Sequence, residues 1–250
     1  MTRLTWDVVG ERVFEAGVDH GVLYVDEGDG VAWHGLTSVS ESPSGADLGE
    51  YYIDGIKYLQ VLGSEEFAAT IEAFTYPDEF AVCDGTRPVG NGLFMTQQPR
   101  KSFGFSYRTR VGNDIQGTDH GYKIHLVYNA LAAPSSKQHS SLNESAEPIN
   151  FSWSITTKPP RFVGFKPTAH MVIDSRETPS DLLYSIQDIL YGTDDTAPRL
   201  PSVDELIELF NSYQSSIFDA GHLTETYFNG YDAGDELDPP DTPLISGGIP

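Results

Sequence analysis

Seven histidines, at positions 20, 34, 120, 125, 139, 170 and 222, are the side chains best suited to proton transfer or metal ligation near neutral pH. None forms a two-histidine pair at helical i, i+4 spacing with a glutamate between, the arrangement that a zinc peptidase needs. His120 and His125 flank the start of one predicted strand. Five residues apart, they point to opposite faces and make poor joint ligands. The single cysteine, Cys83 in FAVCDG, has no histidine or basic neighbour to lower its pKa, and reads as a small buried hydrophobe rather than a nucleophile. The chain contains no GxSxG elbow, no GxxxxGK[ST] phosphate loop and no GxGxxG after a strand. Asp26, Glu27 and Asp29 lack the alternating oxygen donors and distant Glu of a calcium loop and read as a solvated turn. Carboxylates are too abundant for any one pair to mark a glycosidase. The run YDAGDELDPPD (231–241) reads as a solvated acidic tail rather than a Ca²⁺ site. No enzyme is expected, and no cofactor or metal.

Charge says more. The chain carries 37 acidic and 15 basic residues, a net charge of −22. Residues 177–250 hold 15 acids against the single base Arg199. Such a surface repels phosphate backbones and disfavours tight nucleic-acid binding, though not transient passage of DNA past an acidic wall. Basic residues cluster in one place, Arg100, Lys101, Arg108 and Arg110. Two readings stand side by side: a solvated strand face, or a patch complementary to an acidic surface on another copy.

The element carrying these bases is the best-formed in the chain. Phe103, Phe105 and Tyr107 alternate with Gly104, Ser106 and Arg108. Tyr122, Ile124, Leu126 and Tyr128 then alternate with Lys123, His125 and Val127. A period of two marks strands with one buried face. Residues 97–133 therefore read as two long antiparallel strands joined by a polar loop, Gly112 to Gly121, too long for a tight turn. Further strands are expected at 22–25 (within an extended arm, 1–29), at 37–42, 51–62, 149–157 and 165–174, and at 66–76 with Phe67, Ala69, Ile71 and Ala73 on one face. Residues 84–100 read as a Gly/Pro-punctuated linker, and 134–147 as a flexible loop.

The texture then turns helical. Thr178-Pro179-Ser180-Asp181 reads as a capping box, followed by a stripe of Leu182, Leu183, Ile186, Ile189 and Leu190, with Gly192 placed to close the helix. Ser202-Val203-Asp204-Glu205 begins a second short helix, and 219–250 read as an extended or disordered tail. With 39% hydrophobic residues the chain has enough apolar side chains for a real core. The N-terminus shows no signal-peptide pattern and no apolar run reaches bilayer length, so a cytoplasmic site of synthesis without membrane anchoring is expected. The lone cysteine excludes an internal disulfide framework.

Four long words carry a resemblance: GVAWHGLTSVSESPSG (30–45), IKYLQVLGSEEFAATIEAFTYPDEF (56–80), QQPRKSFGFSYRTRVGNDIQGTDHGYKIHLVYNALAAPSSK (97–137) and ILYGTDDTAPRLP (189–201). They are similar, in order, to the major tail protein (tail tube protein) of long, non-contractile-tailed bacteriophages, over most of residues 1–201. The resemblance implies a mainly β fold: a β-sandwich or barrel-like tail tube domain, 1–201, with a flanking α-helix at 179–191. A second short helix and an acidic tail, 202–250, lie beyond it. It implies rings, commonly hexameric, that stack into a tube with an electronegative lumen through which genomic DNA slides without specific binding. Other copies of the chain, the tape measure, the tail terminator and the distal tail proteins are the implied partners, and the virion tail, assembled in the host cytoplasm, is the implied location. On that reading the candidate subunit and ring contacts are Arg100, Lys101, Arg108 and Arg110 with Asn113, Asp114, Gln116 and Asp119 of the connecting loop. A capsid or decoration protein, or a sugar-binding sandwich with Trp33, Trp153 and tyrosines on an exposed platform, are the alternatives.

Overall fold

The computed structural model describes residues 3–25, 28–45, 48–63, 65–139, 141, 148–162 and 165–214. Asp26, Glu27, most of the 134–147 loop's second half and the 219–250 tail lie outside the described residues. The chain divides after Val203 into two units. In chain order the strands are β1 (Val13–Val25), β2 (Gly30–Ala32), β3 (Leu36–Glu41), β4 (Leu48–Ile53), β5 (Ile56–Leu62) and β6 (Ala68–Ala73). They continue with β7 (Arg87–Gly90), β8 (Leu93–Met95), β9 (Phe103–Asn113), β10 (Gly117–Ala132), β11 (Phe151–Thr157) and β12 (His170–Asp174), then helix α1 (Ser180–Tyr191). Residues 203–214 form a second helix. The fold is mostly β.

One antiparallel sheet runs β2-β1-β9-β10-β11-β6-β3, with β12 also paired to β10. It curls on itself, so that the Tyr107 hydroxyl of β9 donates to the Glu41 carboxylate of β3, the strand at the end of the order, at 2.7 Å. Inside the curl, Leu23 and Val127 both lie opposite Phe105, and Trp33, Phe80 and Trp153 fill the space between sheet halves. Ring centroids lie 4.7 Å apart for Trp33–Phe80 and 5.1 Å for Phe80–Trp153. Ala69, Ile71 and Ala73 of β6 point inward at the spacing the sequence predicts. Cys83 is buried.

The outer face of β1, β9 and β10 is covered by α1. Its Leu182, Leu183, Ile186 and Leu190 are buried, and the Tyr24 hydroxyl of β1 donates to the Leu190 carbonyl at 2.8 Å. Covered on both faces, β10 is buried continuously from Ile124 to Tyr128, so His125 and Val127 are core rather than the solvent face that alternation predicts.

Several expectations need correction. Residues 112–121 are not a long loop. β9 and β10 run on to Asn113 and from Gly117, leaving a three-residue turn at 114–116. The Asn113 side-chain oxygen builds it, accepting from the N–H groups of Ile115 at 3.1 Å and Gln116 at 2.6 Å. The polar residues that resemble a loop form an irregular register between Gly117 and Gly121. Gly112 is obligatory here, because a Cβ would stand 2.4 Å from the Gly117 carbonyl oxygen. Likewise β1 spans 13 residues rather than four, its alternation broken by register shifts at Ala16–Val18 and Asp19–Val22. Residues 51–62 belong to a hairpin, β4–β5, and the supposed linker 84–100 contains another, β7–β8. Helix α1 has Pro179 at its N-cap with no side-chain cap, so Thr178 does not form a capping box. Gly192 closes the helix as predicted, at φ 79°.

Candidate assembly surface

The β4–β5 hairpin is a two-stranded ribbon hydrogen-bonded to no other strand among the described residues, entered through a bridge between Ser44 and Glu66 at its base. Its turn is Asp54-Gly55, with φ of 51° and 76°, the doubly positive geometry of a type I′ turn. The register pairs Gly49 with Val61, Tyr51 with Leu59 and Ile53 with Ile56. Alternation along β4 puts Tyr51 and Ile53 on one face, and cross-strand pairing, with a register shift at Tyr51/Tyr52, brings Ile56, Leu59 and Val61 to the same face. These five side chains are 47–73% exposed. The other face carries polar contacts: the Tyr52 hydroxyl donates to Glu50 at 2.7 Å, and Lys57 pairs with the same carboxylate. A two-stranded ribbon is marginal alone in water, and one with a bare apolar face requires a cover.

Two more segments share this character. On β7–β8, whose turn is Asn91-Gly92, the side chains of Val89, Leu93, Phe94 and Met95 are exposed. The N-terminal segment exposes Leu4, Trp6 and Val9. It is tied down at the β9–β10 tip, where Asp114 accepts from the Gly10 N–H at 2.9 Å and the Asn113 amide reaches the Gly10 carbonyl at 3.4 Å.

The candidate contact residues read from sequence mostly find partners within the subunit. Arg108 makes a two-toothed pair with Asp19 (Nε–Oδ1 2.6 Å, Nη2–Oδ2 3.0 Å) and lies over the Tyr122 ring. Arg110 joins the same carboxylate at 2.9 Å. Burial alone would raise the Asp19 carboxyl, but hydrogen bonds from both arginines outweigh it and hold the group well below the usual carboxylate range. Arg100 reaches Asp84 at 3.2 Å and the Ala132 carbonyl at 3.3 Å. Lys101 is exposed and its backbone N–H bonds Val82. Asn113 shapes the turn, and Gln116 holds His120 at 2.6 Å. Asp119 is exposed, 4.0 Å from Arg110. Sequence reasoning missed the ribbon that carries the exposed apolar surface. The Asp-Gly dipeptide was the signal that could have found it.

Inside the curl's open corner a further constellation forms. His125 of β10 and His170 of β12 meet with Nδ1 and Nε2 3.1 Å apart, and Glu41 of β3 brings Oε1 to 3.5 Å from the same His125 Nδ1. The second nitrogen of His125 bonds the Thr109 hydroxyl at 3.0 Å, and the Tyr107 hydroxyl donates to Glu41 at 2.7 Å. Burial pushes His125 down to about 4 and also lowers His170, so both are neutral at pH 7. His120 stays at the hairpin tip, apart from His125. Trp33 and Trp153 are buried, which removes both tryptophans from the exposed platform of the sugar-binding alternative.

No protein-family model and no curated protein matches the chain. Among solved structures it is similar to the tube-terminating cap of the anti-feeding prophage, at 9% identity over 70% of this chain and 97% of that one, with a TM-score of 0.34. It is also similar to two chains from structures of an extracellular contractile injection system in the extended state. One is from the sheath–tube complex (12% identity, 68% and 93% coverage, TM-score 0.31) and one from the sheath/tube terminator (12%, 68% and 99%, 0.30).

Proposed function

We propose that this chain is a structural subunit of a phage-type tail, polymerising with copies of itself into stacked rings that form a tube for genome delivery. The observation that carries this reading is the β4–β5 ribbon, whose apolar face is exposed and covered by no other strand among the described residues. Covering it against a neighbouring copy supplies the buried area that holds a ring or joins one ring to the next. The resemblance to major tail proteins supports six-membered rings and contacts with the tape measure, tail terminator and distal tail proteins. The net charge of −22 suits a conduit that DNA crosses without sticking. The subunit has no catalytic task in this scheme. Negative-stain microscopy of the purified protein tests it: hollow tubes of uniform width are expected. A protein that stays monodisperse across concentration and salt, or that forms closed shells, overturns the reading.

A further inference from the structure

We propose that Glu41, His125 and His170 form a binding site for a divalent transition cation of zinc type, which staples β3 to β10 and β12. One ligand atom from each residue lies within 4.8 Å of the others. Two ligands on a tetrahedral Zn²⁺ stand about 3.3 Å apart, given metal–nitrogen and metal–oxygen bonds near 2 Å. The His125–His170 and His125–Glu41 separations of 3.1 and 3.5 Å bracket that value.

His125 Nδ1, His170 Nε2 and a Glu41 oxygen converge on one space. A proton serves one pair, whereas a divalent cation serves all three. The surroundings fit a ligand shell. The outer nitrogen of His125 is engaged by Thr109, which fixes the ring and leaves Nδ1 toward the centre, and Tyr107 orients the Glu41 carboxylate. Tyr107 also stacks on His125 with ring centroids 4.5 Å apart, and Phe67 lies 4.3 Å from His170, giving the site apolar walls. Beyond His170 and Glu41 the cluster opens to a cleft that also meets Glu65 and Lys166, so a fourth position is open to water. Two imidazoles and one carboxylate select Zn²⁺ and its neighbours over Mg²⁺ or Ca²⁺. Glu41 ends β3 at the far edge of the sheet order, while His125 and His170 sit on adjacent strands near its middle. A cation there would lock the curl shut.

The test uses the full chain, stripped with chelator, titrated with ZnCl₂ by calorimetry, and separately with Co²⁺ read by its visible absorption. One equivalent bound, a tetrahedral Co²⁺ spectrum and a Zn²⁺-dependent rise in melting temperature are expected. Glu41→Gln and His170→Asn should each weaken binding at least tenfold and abolish the rise. Thr109→Val, which touches no metal, should weaken it about 10–100-fold. Circular dichroism checks each variant. Glu41 is exposed, so E41Q remains decisive if a histidine variant fails to fold. No saturable binding by the wild type, or undiminished binding by folded E41Q, overturns the proposal.

Discussion

Replacing Ile56 and Leu59 by serine strips the centre of the ribbon's apolar face, and its consequences can be worked from exposure. Fully burying such a side chain is worth about 1.5–3 kcal/mol. Ile56 is 73% exposed and Leu59 48% exposed in the subunit, so more than half of that gain remains to be realised on assembly. The pair therefore contributes about 2–3 kcal/mol per ribbon covered, which is roughly a 30–150-fold change in an association constant. The critical concentration for polymer should rise by that factor, measured by pelleting and negative stain over a dilution series. On the same scale the isolated subunit should lose only about 1–2 kcal/mol, because roughly half of Leu59 and a quarter of Ile56 are already covered within it. Two results refute the reasoning. Polymer at wild-type concentrations would mean the face is not an interface. A large fall in the subunit's melting temperature would mean the ribbon packs within the subunit.

Trp153→Ala should cost about 3–5 kcal/mol in urea unfolding, since the ring is fully buried among aromatics. Trp153→Phe should cost much less than that, because the indole N–H has no hydrogen-bond partner among the described residues and its removal offsets part of the lost volume. The Asp19 carboxylate, with its depressed pKa, contributes stability above the ordinary carboxylate range, and that contribution fades as pH falls below about 4. Asp19→Asn should flatten that part of the pH–stability curve, and equal acid sensitivity in both proteins would refute the assignment. Gly112→Ala should destabilise the β9–β10 tip by roughly 1–3 kcal/mol, read by hydrogen exchange at Asn113 to Gly117, since a Cβ meets both the Gly117 carbonyl and the Phe14 ring.

Where a strand buries one face and keeps its register, residue types show it. β6, the first half of β9, and the Leu182–Leu190 stripe of α1 are all legible on these grounds. Legibility fails for different physical reasons elsewhere. β1 is hidden because bulges at Gly17 and His20-Gly21 reverse which residues face inward, so no single period runs through it. β10 loses its alternation where α1 covers its second face. The ribbon is obscured by the apolar residues on both sides of Asp54-Gly55, which resemble one run bound for the core. On the proposed function its pattern answers to a partner rather than to its own domain. The Glu41–His125–His170 cluster has no sequence spacing at all. It exists because β12 pairs with β10 in the register that sets Met171 opposite Leu126, and because the sheet curls far enough to bring β3 around.

Charge distribution sharpens the distinction between surface and interface. Copies of a chain with net charge −22 repel one another, and near 0.15 M salt that repulsion acts over about 8 Å, the distances at which subunits meet. Attraction must therefore come from segments that do not share the charge. The ribbon, residues 48–62, carries Glu50, Asp54 and Lys57, while the β7–β8 hairpin carries only Arg87. The N-terminal segment, 3–14, balances Arg3 and Arg12 against Asp7 and Glu11. Together these three exposed apolar segments are electrically neutral in a strongly acidic chain. Neutrality and exposed apolar area coincide on the same residues, although neither requires the other. A surface selected only for solubility would have placed its excess carboxylates over that area. On the proposed function the acid lies elsewhere, where it repels both stray contacts and a passing polyanion, and the apolar arms are the route by which one copy holds another.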